Sequence, residues 1–156
     1  MTNHIVLFQP EIPANTGNIA RTCAGTNTHL HLIKPLGFST DDKMLKRAGL
    51  DYWEHVYITY HESIEDFFDA TQGEYYLLTK FGKQTYSDFD FSKEDTDYYF
   101  IFGRETTGLP DWVKDKYADT ALRIPMSENI RSLNLSNTAA LLIYEALRQQ
   151  NFPGLS

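Results

Sequence analysis

Residues Tyr98 to Phe102 read YYFIF, an unbroken apolar run that Gly103 ends. A strand with one face in water alternates apolar and polar residues, whereas a run without alternation is covered on both faces. This strand needs helices above and below it, which limits the chain to a layered α/β fold. The rest of the sequence supplies the parts. HIVLF, LHLI, HVYITY, YYLLT and ALRI are short apolar runs, most followed closely by Pro or Gly, and predict further strands. Between them lie helical stretches: NIARTCAGT, STDDKMLKRAGLDYW, HESIEDFFDAT, LPDWVKDKYAD and a last one ending EALRQ. Ser39 and Asp42 have capping-box spacing, and that helix is expected to end near Gly49. Phe67 and Phe68 are expected inward on the third helix. Ala139, Leu142, Ile143, Ala146 and Leu147 form an apolar stripe on the last. Pro13 and Asn15-Thr16-Gly17 predict a loop before the first helix. The polar stretch Lys83 to Asp97 carries no clear pattern. With 156 residues the chain has the size of one domain, spanning 1–156, built on a mostly parallel sheet with helices on both faces.

Several function classes are disfavoured. The net charge of −7 argues against a surface that binds nucleic acid everywhere, though cations gather locally at Lys43, Lys46 and Arg47 and near loops at Arg104, Arg123 and Arg131. No apolar run is long enough to span a bilayer, and MTNHIVLFQP lacks the basic start of a signal peptide. A single cysteine, Cys23, sits among Ala20 and Ala24 and fits a small buried hydrophobe in a reducing, cytoplasmic setting. No G-x-G-x-x-G follows the first strand, FGKQT lacks the glycine and hydroxyl of a P-loop, and no G-x-S-x-G elbow is present. His29 and His31, two apart, read as surface or edge-strand histidines with no ligand at metal spacing beside them, so no metal is expected.

In an open parallel sheet, ligands bind beyond the carboxyl ends of the strands. Those ends carry PANTGNIAR, LTKFG, FGRETTGLP and IPMSENIRSLNLSN, rich in Gly, Asn, Ser, Thr, Arg and Glu. Glu105, between Gly103 and Gly108, either bonds amides of its own loop or serves chemistry. Arg21 is either a surface cation or part of the site. One polar residue suffices to cap the last helix, yet Ser132, Asn134, Ser136 and Asn137 all precede or open it. The excess points to a crevice that grips a polar ligand.

Three segments, NTGNIAR, FGRETTGLP and IPMSENIRSLNLSNTAALLIYEALRQ, resemble the three motifs of the SPOUT superfamily of RNA methyltransferases. The likeness covers the whole chain and is greatest to the tRNA wobble-nucleotide 2′-O-methyltransferases (TrmL/YibK type). The resemblance implies a C-terminal deep trefoil knot, a homodimer, tRNA as partner and S-adenosyl-L-methionine as cofactor. By motif position it implies cofactor contacts at Leu78, Gly103, Ile124, Met126, Ser132 and Leu133, with Gly103 allowing close approach to the ligand. It implies that Arg21 acts at the ribose hydroxyl, supported by Asn15, with Glu105 as base or loop organiser and Asn134 at the ribose. RNA would lie along Lys43, Lys46, Arg47, Arg131 and Arg148. Sister enzymes share these motifs, so another tRNA position, ribosomal RNA, or a non-catalytic RNA- or nucleotide-binding protein of the same fold stand as alternatives.

Overall fold

A computed structural model of the chain describes residues 1–39, 43 and 53–156. The strands are β1 (Thr2–Phe8), β2 (His29–Ile33), β3 (Ile58–His61), β4 (Glu74–Leu78), β5 (Gln84–Thr85), β6 (Asp97–Phe102) and β7 (Ala121–Arg123). The helices are α1 (Pro13–Thr26), α2 (Ile64–Ala70), α3 (Asp111–Lys116) and α4 (Leu135–Gln149). The helix expected from Ser39 to Gly49 falls mostly outside the described residues. The strands form one seven-stranded sheet in the order β3-β2-β1-β6-β4-β7-β5. Every strand pair in it is parallel.

The pleat splits the apolar side chains into two cores. Ile5, Leu7, Tyr98, Phe100 and Phe102 face the side covered by α1 and α4. Val6, Phe8, Tyr99 and Ile101 face α2 and α3. This is why YYFIF does not alternate: both faces are dry, and Tyr98, Phe100 and Ile101 are fully buried. The stripe foreseen on α4 is buried along its whole length, and Phe67 is the inward anchor of α2, with Phe68 packed only partly against it. Ser63 caps α2 by accepting a hydrogen bond from the Asp66 amide at 3.1 Å. Among the described residues no helix is long and apolar enough to cross a membrane.

Three expectations change. The stretch Pro13 to Gly17 is the first turn of α1, not a loop. Pro13 occupies the first helical position, where its missing N–H costs nothing. Within the polar segment that follows β4, Gln84 and Thr85 pair with Leu122 and Arg123 and add a short edge strand. Of the two histidines expected at the surface or on an edge strand, His29 is half-buried and His31 is fully interior. β2 is an interior strand, and His4, His31 and His61 are buried and hydrogen bonded in series. His4 Nδ1 lies 2.9 Å from His31 Nε2, His31 Nδ1 lies 2.9 Å from His61 Nε2, and His4 Nε2 lies 3.2 Å from Asp97 Oδ2. The Asp97 carboxylate can only accept, so it fixes the proton on His4 Nε2, and the same logic puts the proton on Nε2 of the next two rings.

Candidate active site

Because all seven strands are parallel, the turns after β4, β6 and β7 emerge at one rim. They enclose a cavity of about 710 Å³ together with the start of α1. Its floor is apolar. Leu78 ends β4 in register with Phe102 of β6 on one side and Leu122 of β7 on the other. Ile124, buried, follows β7 directly. Of the residues assigned to the cofactor, Leu78, Gly103, Ile124, Met126, Ser132 and Leu133 all line this one cavity. Asn15, Glu105, Asn134 and Arg131 line it too.

Each polar residue has a local reason to be there. The side chain of Ile12, the residue that precedes α1, cannot cap a helix. Glu105 supplies the acceptor instead, taking the Ile12 amide at 2.6 Å and the Glu11 amide at 3.1 Å. Glu11 returns the contact across the same gap, its carboxylate accepting from the Thr106 amide at 3.1 Å and the Thr106 hydroxyl at 2.8 Å. These reciprocal bonds clamp the turn after β6 onto the entrance of α1, and a negative charge suits that helix end. Burial pushes the Glu105 carboxyl up, while the amide bonds to Ile12 and Glu11 pull the other way. Hydroxyl and amide bonds from Thr106 hold the Glu11 carboxyl below its ordinary value. Glu105 therefore does more than serve its own loop. Nothing in the local sequence announces Glu11, whose partner lies ninety-five positions away.

The glycines of this turn also read differently in the structure. A Cβ on Gly103 would stand 2.4 Å from the Gly108 carbonyl carbon and 2.6 Å from the Leu109 nitrogen. Its missing side chain lets the turn close on itself, at a position that also lines the cavity. Arg104 and Gly108 exchange both backbone hydrogen bonds across it, at 3.2 and 3.0 Å, and Gly108 takes φ +73°. The Arg104 guanidinium lies over the Phe8 ring, 5.2 Å from its centre.

At the other wall, Asn134 caps α4. Its side-chain oxygen accepts from the Ser136 amide at 2.9 Å and from the Ser136 hydroxyl at 2.5 Å, and its backbone oxygen accepts from Thr138 Oγ1 at 3.1 Å. Capping thus accounts for Asn134, Ser136 and Thr138. Capping does not use Ser132 or Asn137, the other two residues of that polar run; Ser132, exposed, lies on the cavity lining and Asn137 lies off it. Asn15 is buried and faces the cavity from the first turn of α1.

The remaining assigned residues are not gathered here. Arg21 is exposed, off the cavity lining, and six positions along α1 from Asn15, about 9 Å of helix rise. Arg148 lies near the far end of α4, about 20 Å from Leu135 along the axis, and pairs with Glu145 at 2.6 Å. Lys43 is exposed, and Lys46 and Arg47 lie outside the described residues. Cys23 is buried, and burial pushes its thiol far up, as befits a packing residue.

The chain that builds this cavity has counterparts among known proteins in sequence and fold. Residues 2–144 match the SpoU rRNA Methylase family. The chain is 52% identical to the tRNA (cytidine(34)-2'-O)-methyltransferase of Methylovorus glucosotrophus, over 96% of this chain and 97% of that one. A Bacillus anthracis chain, solved as a candidate RNA methyltransferase, is 67% identical and superposes with a TM-score of 0.93, covering 99% of this chain and 98% of that one. A structure solved for insights into the 2-OH methylation of C/U34 on tRNA is 40% identical, with a TM-score of 0.87 and coverage of 96% and 97%. Fold and sequence agree: the chain belongs to the SpoU methylase family of RNA-modifying enzymes.

Proposed function

We propose that the protein transfers a methyl group from S-adenosyl-L-methionine to the ribose 2′-OH of the wobble nucleotide, cytidine or uridine, of tRNA. The observation that carries this reading is the convergence of Leu78, Gly103, Ile124, Met126, Ser132 and Leu133 on one cavity with Asn15. The cavity fits such a cofactor. Its 710 Å³ falls within the roughly 300–1,000 Å³ of small-molecule sites, and its apolar floor beside polar loops suits an adenosine carrying a charged tail. The full-length likeness to a tRNA (cytidine(34)-2'-O)-methyltransferase favours this substrate over ribosomal RNA.

When bound, the cofactor supplies an electrophilic methyl group on a sulfonium. The chain's own work is to place the ribose oxygen in line with that group and to accommodate the proton and charge as the oxygen becomes a nucleophile. Leu78 and Ile124 hold the adenosine side by apolar contact. Ser132 and Leu133 close the pocket, and Met126 flanks it. Asn15 meets the ribose from α1. Asn134 has committed its carbonyl oxygen to Ser136, so its amide NH₂ is the group it can offer. Glu105 organises the site, because its oxygens already accept the Glu11 and Ile12 amides. Arg21 orients an RNA phosphate and stabilises charge from outside the pocket wall, since a guanidinium is a poor base. Arg131 extends the cationic path for RNA from the cavity edge. The enzyme acts in the cytoplasm as a homodimer, and the path from β7 to α4 is tied as a trefoil knot, as the family resemblance implies.

The test is to incubate the protein with methyl-labelled cofactor and total tRNA and to map the label. Label on the 2′-oxygen of position 34 is expected. Label elsewhere, or only on ribosomal RNA, replaces the substrate, and no transfer at all removes the enzyme reading.

A further inference from the structure

Phe81 stands 81% exposed at the mouth of the cavity, among the most solvent-open large side chains of the described residues. A whole phenyl ring in water forgoes the stabilisation of burial, so its surroundings decide whether it is incidental. The turn that carries it is fixed at both ends. The Thr79 amide donates to the Leu122 carbonyl at 3.2 Å, and the Phe81 amide donates to Thr79 Oγ1 at 3.1 Å. Next in the chain, Gly82 is buried so tightly that a Cβ would lie 2.6 Å from the Leu122 carbonyl carbon. Gln84 and Thr85 then pair with Leu122 and Arg123. The ring is held outward by a backbone docked on β7.

Its neighbours are cationic. Lys80 and Lys83 flank it in sequence, both exposed. The cavity lining holds Lys80, Arg104, Lys114, Arg123 and Arg131 against a single carboxylate, Glu105, which is bound to backbone amides. Lys80, Arg123 and Arg131 make no ion pair among the described residues. In a chain of net charge −7, five of the fourteen Lys and Arg thus line this one cavity. An aromatic face on a rigid support, bordered by free cations, matches the chemistry of an unpaired base and its phosphates.

We propose that Phe81 is a stacking platform for an unpaired RNA base next to the nucleotide whose ribose enters the cavity, with Lys80 and Arg123 on the flanking phosphates. This rests on the RNA-methylating function proposed above. Phe81 governs how RNA is held and leaves cofactor affinity to the pocket floor.

The experiment compares wild type with Phe81→Ala, Phe81→Leu and Phe81→Trp in the full chain. It measures tRNA Kd, kcat and KM, cofactor Kd and oligomeric state. Stacking predicts that Phe81→Ala raises Kd and KM for tRNA about tenfold, within a span of roughly 5- to 100-fold. Turnover at saturating tRNA, cofactor Kd and oligomeric state should hold. Phe81→Trp should restore affinity, and Phe81→Leu, apolar but without a π face, should not. A 2-aminopurine placed beside position 34 of an anticodon-loop RNA should be quenched by wild type and not by Phe81→Ala. The proposal is overturned by tRNA affinity unchanged in Phe81→Ala, by rescue with Leu as complete as with Trp, by a shifted cofactor Kd, or by an altered oligomeric state, which would make Phe81 a contact between copies. If wild-type protein transfers no methyl to tRNA, the functional reading fails and this one with it; if wild type is active and Phe81→Ala matches it, only this one fails.

Discussion

Across β1, β2 and β3, both ring nitrogens of His4 and His31 and Nε2 of His61 are bonded to one another or to Asp97, and Tyr99 and Phe67 pack against the rings. Across β4, β6 and β7 the strand ends turn away instead, and Asn15, Ser132 and a ring of cations border open space. Both wings belong to one parallel sheet with an apolar core on each face. They differ in where polar groups find partners. The first wing is internally satisfied, so its polar residues serve the fold. The second is held by the Glu105 and Glu11 bridges between two loops and by the Asn134 cap, while Asn15, Ser132 and the cations face a ligand-sized cavity. Buried polar groups that satisfy one another mark structure, while polar groups supported from behind and unspent in front mark a site.

The largest expected effect tests the first wing. Burial lowers the His4 pKa to about 4, against a smaller upward pull from Asp97 and with a further lowering from His29. Burial, then the neighbouring His4, His61 and His29, lowers His31 to about 3. The unfolded chain therefore binds protons that the fold refuses, and stability falls as pH drops from about 6.5 through about 4. For His4 the lowering corresponds to about 3 kcal/mol, titrating together with His31. Denaturant unfolding across that window measures it, and His4→Gln should flatten the slope. An equally steep slope in His4→Gln would show that the histidine chain does not set acid stability.

Next comes the clamp of the second wing. Gly103→Ala forces a methyl group into the Gly108 backbone, and such overpacking costs about 1–3 kcal/mol. The turn it deforms lines the cavity, so cofactor affinity should fall about 10- to 100-fold by calorimetry. Glu105→Gln keeps the shape but removes the charge from the Ile12 and Glu11 amides, an expected loss of about 1–2 kcal/mol in thermal or chemical unfolding. Methyl transfer should slow in proportion to the displacement of α1 and still be measurable; complete loss of turnover with unchanged stability and cofactor binding would instead make Glu105 the base.

The smallest effect separates two arginines assigned to RNA. Arg131→Ala, at the cavity edge, should lower the slope of log tRNA affinity against log salt by about one. Arg148→Ala, ion-paired at the distal end of α4, should leave that slope alone. Equal changes in both would place RNA along the whole of α4.

Much of this was legible because it is local. Apolar runs announce strands, the spacing of Ala139 to Leu147 announces α4, and the parallel sheet puts its strand ends at one rim. What stayed hidden depends on partners far along the chain. Ile12 gives no sign that a helix starts after it, because the capping charge comes from Glu105, ninety-three positions away. His31 looks like an exposed histidine until the order of strands places it beside His4 in the interior. Gln84 and Thr85 are too few to announce a strand, and only their pairing with β7 makes them one.

The proposed function stands or falls with the rim cavity as the seat of the methyl donor. A crystal structure of the protein with S-adenosyl-L-methionine tests it most directly. The expected result is the adenosine lying between Leu78, Ile124 and Ser132, with its sulfonium methyl directed toward the side of the cavity that Asn15 borders. Well-ordered cofactor at any other place on the chain, or saturating cofactor that leaves this cavity filled only with water, would contradict it.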